Sequence, residues 1–244
     1  MTNNHSRGPD PRWDAKNRDN KGHAILQTVS HFIQRPLKET EWLDIGCGNG
    51  IIAATIAPSV KFITGADPGA WPIWDTLQKK QANIRFLHEP IEKLTCHENK
   101  IDIVICNQVY EHVADPQYLI QEIKRVLKPG GYCYFAGPNL FFPIEPHVFW
   151  PFIHWLPRNF AVKLMRKFGS KGILDAWSTD YWTLIRWLDA FEIINAVPYI
   201  LKNPKKYNRT GLFWKALSLM PNWLLNKLTW VSPTFVFILK KPTA

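Results

Sequence analysis

The segment EWLDIGCGNG, residues 41–50, places three glycines within five positions behind a short apolar run, and Asp44 stands two places before the first of them. Glycine tolerates positive φ and carries no Cβ, so such a cluster lets the backbone come close to a ligand. A strand that ends in this kind of turn and runs on into a helix marks the ligand end of an open α/β sheet. The spacing separates the possible ligands. A P-loop needs Lys followed by Ser or Thr, and neither is present. The dinucleotide fingerprint G-x-G-x-x-G fits Gly46 and Gly48, but the third glycine is Gly50, one place early, and Ile51 follows it. What remains is acid-x-Gly-x-Gly-x-Gly, a carboxylate beside accessible backbone. That suits a ligand carrying positive charge, such as an ammonium.

Outward from this segment the chain alternates strand and helix patterns. Glu41–Ile45 reads as a buried strand, and Ile51–Ala57 as a helix ended by Pro58. Lys61–Ala66 is a second strand with Asp67 directly after it, and Trp74–Lys80 a second helix. Ile84–Leu87 and Asp102–Cys106 are further strands. Pro116–Leu127 is an amphipathic helix stopped by LKPGG, and Tyr132–Ala136 is a fifth strand. Before the glycine segment, Ile25, Leu26, Val29, Phe32 and Ile33 share one face of a helix over His23–Arg35. Residues 1–22 read as a polar arm. Glu192–Val197 and Thr234–Lys240 are two closing strands. The order predicts an α/β fold, a doubly wound, Rossmann-like, mostly parallel sheet of about seven strands. It predicts a single domain over 23–244, with a cofactor-binding core at about 40–140, and an α-rich, aromatic and basic cap inserted after strand five that shares about 141–244 with the closing strands.

Charge divides the chain in the same place. The net charge is +10, and residues 141–244 alone hold fourteen Lys/Arg against five Asp/Glu, with eight of the twelve tryptophans. That third is built for a partner that is anionic, apolar or both. The four cysteines, Cys47, Cys96, Cys106 and Cys133, form no CxxC pair and no zinc spacing. They read as reduced thiols of a cytoplasmic protein. No uncharged apolar run reaches the roughly 18 residues of a membrane span, and no secretory leader is visible.

With these features in view, LDIGCGNG resembles the first motif of the class I S-adenosylmethionine-dependent methyltransferases, of the small-molecule, ubiquinone-biosynthesis type. FLHEPIEKL and DIVICNQVYEHVADPQYLIQEIKRVLKPGGYCYFAGPN follow in the family's order. The resemblance covers roughly residues 40–140. It implies S-adenosyl-L-methionine as cofactor. Asp44, Gly46, Cys47, Gly48, Asn49 and Gly50 would then face its methionine part, Cys47 serving as a small spacer. Asp67, with Pro68 beside it, would accept from the ribose hydroxyls, and Glu89 would stand near the adenine. Asn107, Gln108 and Val109 would line the opposite side.

The resemblance puts Glu111 and His112 beside the transferred methyl group. His112 is the candidate base and Glu111 its neighbour. Some relatives bind a divalent ion through Glu-x-x-Glu-His, but here the first position is Gln108. Even with His147 added, the oxygen donors are too few, so no metal is assigned. Pro157–Phe168 has an apolar face of Phe160, Val162, Leu164, Met165 and Phe168, and a basic one of Arg158, Lys163, Arg166 and Lys167, with Lys171 beyond it. This is the profile of a helix at an anionic membrane surface, and equally of a lid with a solvated basic face. No nucleic-acid motif is present. The expected activity is methyl transfer, at oxygen, to a small apolar, lipid or lipid-linked acceptor, with peripheral contact at the inner membrane face. The alternatives are a soluble metabolite or sugar acceptor under a plain lid, and a cofactor-binding protein without catalysis.

Overall fold

The structure is a computed structural model and describes residues 14–33, 35–145, 148–169, 174 and 176–243. Seven strands form one sheet: β1 (Glu41–Ile45), β2 (Phe62–Asp67), β3 (Ile84–His88), β4 (Ile101–Asn107), β5 (Leu127–Pro138), β6 (Glu192–Asn195) and β7 (Thr234–Lys240). Their spatial order is β3-β2-β1-β4-β5-β7-β6. The first five run parallel, and β7 is antiparallel to both β5 and β6. This is a Rossmann-like fold, an open, mostly parallel α/β sheet. Its order reverses between β1 and β4, which opens a crevice at their carboxyl ends.

Among the described residues the helices are α1 (Ala15–Phe32), α2 (Ile51–Ile56), α3 (Ile73–Lys80), α4 (Pro116–Val126), α5 (Arg158–Lys167), α6 (Tyr181–Trp187), α7 (Val197–Lys202), α8 (Leu212–Leu219) and α9 (Asn222–Lys227). The near-continuous apolar runs of β1 and β4 follow from burial on both faces. Alternate residues feed two cores. Trp42, Ile103 and Ile105 meet α1, α2 and α3 through Ile25, Ile56 and Trp74. Leu43, Val104 and Cys106 meet α4 and α6 through Leu119, Ile123 and Leu184.

Three expectations change. The first helix begins at Ala15, not His23, so residues 15–22 are not part of a polar arm. The Asp14 side chain caps it by accepting from Asn17 N at 2.9 Å. Its early turns show no apolar stripe because α2 holds them instead. Thr55 Oγ1 donates to Asp19 at 2.8 Å, and Gly22 seats directly on the Thr55 side chain. Second, α4 stops at Val126, and LKPGG lies inside β5, carried by positive φ at Gly130 and a register shift opposite Ile101–Ile103. Third, the apolar face predicted for Pro157–Phe168 does not pack as one surface: Met165, with Ala161, enters a small core beside Ile153 and Leu174, while Phe160 and Phe168 stay exposed. Helix α6 packs in the sheet's own core, and α7 to α9 follow β6 and precede β7 in the chain. Residues 1–13, His147 and Lys171 lie outside the described residues.

Candidate functional site

The loop after β1 is drawn in by hydrogen bonds to β2. Gly46 N and Cys47 N both donate to Ala66 O, at 2.8 and 3.2 Å. Gly46 and Gly50 have φ of +66 and +77 and could not carry a side chain. A Cβ on Gly46 would stand 2.7 Å from Val109, and one on Gly50 would stand 2.5 Å from the Phe86 ring. The residues predicted from β1 and β2 come together. Gly48 N donates to Asp67 Oδ2 at 2.8 Å, and Gly69 N to Asp67 Oδ1 at 2.8 Å. Trp71 Nε1 also reaches Oδ1, at 3.5 Å, so Oδ2 is the oxygen that keeps a lone pair for a ligand. Trp74 Nε1 fixes the Gly48 carbonyl at 2.9 Å, and His88 Nε2 lies 2.9 Å from Pro68 O. Asn49 is buried and its Oδ1 accepts from Ile51 N at 3.3 Å.

Asp44 is 2% exposed, and its Oδ2 has no hydrogen-bond donor. Burial raises its carboxyl to about 7; the Asp67 charge acts the same way, while Arg18 of α1 opposes it. Burial also pushes the Cys47 thiol up, with Asp44 and Asp67 adding to the effect, so Cys47 is a neutral filler and not a nucleophile. On the neighbouring strand, Asn107 Oδ1 is a second buried acceptor without a donor. Such groups are costly unless something satisfies them.

The loop after β4 turns sharply. Gln108 holds a left-handed backbone, φ 59, with its N–H on Ala136 O at 2.7 Å. This places Val109 against Gly46 and so joins the two loops. Strained non-glycine backbone of this sort clusters at functional sites. Tyr110 is anchored beneath, its hydroxyl donating to Pro138 O and accepting from Thr179 N at 3.3 Å. Glu111 is fully buried, 4.0 Å from His112 Nε2, while the His112 side chain is 34% exposed. The backbone N–H of His112 donates to Val109 O at 2.9 Å, and Glu111 O accepts from Trp177 N at 2.8 Å. The result is a partly exposed imidazole with a buried carboxyl group behind it.

Glu89 follows His88, the β3 residue paired with Asp67, and its oxygens accept from Thr95 N at 3.0 Å and Thr95 Oγ1 at 2.9 Å, which closes its own loop. Among the described residues no three His, Cys, Asp or Glu side chains converge on a metal-sized site. Sequence reasoning missed Arg18, Trp74, Tyr110 and Thr179. Trp71 and Trp74 at i, i+3 after GADPG carried a readable helical signal. Arg18 carried none, because only the packing of α1 on α2 brings it near Asp44 and Asp67.

Chemically, the site brings together a glycine-loop backbone, the carboxyl groups of Asp44, Asp67 and Glu111, with Asp44 Oδ2 buried and lacking a donor, and the imidazole of His112. Residues 43–135 match the family model described as a methyltransferase domain. Among curated proteins, the chain is similar to a ubiquinone biosynthesis O-methyltransferase of Coxiella burnetii, 30% identical over 132 residues. That match covers 52% of this chain and 56% of the relative, so it spans about half of either. Among solved structures, it is similar to a Haemonchus contortus phosphoethanolamine N-methyltransferase 2 in complex with phosphomonomethylethanolamine and S-adenosylhomocysteine. The TM-score is 0.58 at 17% identity, over 91% of this chain and 52% of the other. A Burkholderia thailandensis 1,6-didemethyltoxoflavin-N1-methyltransferase gives 0.56 at 15%, over 95% and 81%. At these identities the structural likeness speaks for the fold.

Proposed function

We infer that residues 43–135 form a class I S-adenosylmethionine-dependent methyltransferase domain, and on that premise we propose that the protein transfers a methyl group to oxygen of a small apolar, lipid or lipid-linked acceptor. The observation that carries the reading is the pairing of Asp67, bound to the Gly48 amide, with Asp44, buried and lacking a donor at Oδ2. A ligand with an ammonium and neighbouring hydroxyls answers both needs. S-adenosylmethionine fits this donor set, and when bound it supplies a methyl group on a sulfonium, already an excellent leaving group. Asp44 balances the ammonium, and Asp67 accepts from the ribose hydroxyls. Gly46 and Gly48 admit the methionine backbone, and Arg18 brings a positive charge to the same end.

With the leaving group so good, the protein's work is positioning and proton removal. His112 accepts the acceptor's hydroxyl proton as the new C–O bond forms. The buried Glu111 carboxyl lies 4.0 Å from its Nε2. Phe141, Trp182 and Trp230, at mutual ring distances of 5.8 to 6.2 Å beyond the end of β5, offer an apolar wall to the acceptor. The names of the curated relatives support oxygen and an apolar quinone-like acceptor. We place the protein in the cytoplasm, at the inner membrane face.

The test uses methyl-labelled S-adenosylmethionine in an extract of the source cells, separated into organic, aqueous and macromolecular fractions. Label in the organic fraction is the expected result. Label confined to the aqueous fraction would replace the acceptor with a soluble metabolite or sugar. No transfer, with S-adenosylhomocysteine still bound in calorimetry, would leave a non-catalytic cofactor-binding protein.

A further inference from the structure

Helix α8, LFWKALSL, is made mostly of large apolar residues, yet it buries none of them. Leu212, Phe213 and Leu219 are 82, 67 and 77% exposed, and Trp223 of the following α9 is 62% exposed. A soluble surface rarely leaves so many large apolar side chains together without a use. Cations surround them. After Glu192 the sequence holds eight Lys/Arg and no Asp or Glu. Arg209 lies over the Trp214 ring at 4.4 Å, and Lys227 over Trp223 at 5.5 Å.

We propose that the α8–α9 hairpin is a docking surface for an anionic lipid bilayer, with Leu212, Phe213, Leu219 and Trp223 entering the acyl boundary and the exposed Lys215 and Lys227 meeting headgroup phosphates. The pairing of bare aliphatic groups with unopposed cations selects this partner. A second copy of the chain would bring the same cations and repel. Single-stranded nucleic acid would use the cations and indoles, but it gives Leu212 and Leu219 nothing to pack on. Among the described residues no helix is long and apolar enough to cross a membrane, so the contact is one of lying on the surface.

The inference also moves the contact away from α5. That helix turns Ala161 and Met165 into its local core, so part of its apolar stripe is already used. From α9 the chain passes directly to Trp230, whose carbonyl accepts from Asn139 Nδ2 at 2.8 Å and whose ring lies 5.8 Å from Trp182. The docking hairpin is thus continuous with the aromatic wall at the end of β5. That it delivers a lipid-phase acceptor there rests on the transfer reading; the docking itself does not.

The experiment is flotation of the full chain with phosphatidylcholine vesicles and with phosphatidylcholine–phosphatidylglycerol vesicles, at low and high salt. Binding to the anionic vesicles is expected, weakening with salt. Leu212→Ser with Phe213→Ser should weaken it at least about tenfold. Lys215→Gln and Lys227→Gln should each weaken it roughly fivefold. S-adenosylhomocysteine affinity, measured by calorimetry, should stay unchanged in all of these variants. The proposal is overturned if the wild type does not float with anionic vesicles, if the variants float as well as it does, or if oligothymidylate displaces the vesicles. Cofactor binding without flotation would sink the docking and leave the transfer reading standing; flotation without cofactor binding would do the reverse.

Discussion

Asp44 carries the clearest consequence at the scale of one residue. Burial holds its carboxyl near 7 in the fold, against 3.8 in an unstructured chain. The folded state therefore keeps a proton that the unfolded chain has lost. Its effect is to lower stability as pH rises from about 4 to about 7, and to add no further loss above that. A cation bound against it favours the ionised form, so cofactor binding expels that proton. Affinity for S-adenosylhomocysteine should climb with pH by at most about tenfold per unit, and flatten above about 7. Calorimetry in buffers of different ionisation heat reads both affinity and proton release. Asp44→Asn should melt higher than wild type at about pH 8 without ligand, bind more weakly, and lose the pH slope. A slope that persists in the variant would assign it to another group. His112 gives the complementary case. His112→Ala should leave cofactor affinity intact and slow methyl transfer by about a hundredfold or more. An unaltered rate would remove His112 as the base.

Among the elements, α1 shows how a helix without a strong apolar stripe is held. Gly22 lies against Thr55 so closely that an added Cβ would stand 2.8 Å from Thr55 Cβ. Gly22→Val should push α1 off α2 and cost about 1–3 kcal/mol in urea unfolding, the range of overpacked cores. Arg18, one turn earlier on the same helix, would move with it, so cofactor affinity should fall as well. A variant that loses stability but keeps full affinity would show that α1 acts only as a buttress. The loop after β4 is the other decisive element. The pattern EH and its distance from β4 are legible in the chain. The left-handed Gln108 and the support of Glu111 from Trp177 emerge only when β4, β5 and the segment before α6 are assembled.

The whole molecule has unequal parts. The sheet is covered on both faces by extensive clusters, whereas the segment around α5 rests on four buried residues, Ile153, Ala161, Met165 and Leu174. Opening free energy scales with such packing. In native-state hydrogen exchange the amides of α5 should exchange through local opening, well before those of β1, β4 and β5. Equal protection would mean that this segment unfolds only with the sheet. The same inequality explains why charge and tryptophan pile up after β5 while the glycine loop stays near neutrality. The core is spent on holding the crevice, and the added segments are left to meet partners.

Much of this was legible in one dimension. Strand positions followed from apolar runs bounded by turn residues, because a strand buried on both faces has little freedom in composition. The glycine loop and Asp67 were legible because backbone at positive φ and a carboxylate at a strand end are local requirements. The start of α1 and the place of Arg18 were not, since they depend on Thr55 and Asp19 meeting across 36 positions of chain. Glu89 was found by its place after β3, but its hydrogen bonds to Thr95 belong to the folded loop. The tertiary structure alone decided that α5 buries Ala161 and Met165 while α8 buries no residue. Both carry apolar and basic residues, so their sequences left the choice open. Burial of a face is a property of what lies opposite it, and no helix carries that information in itself.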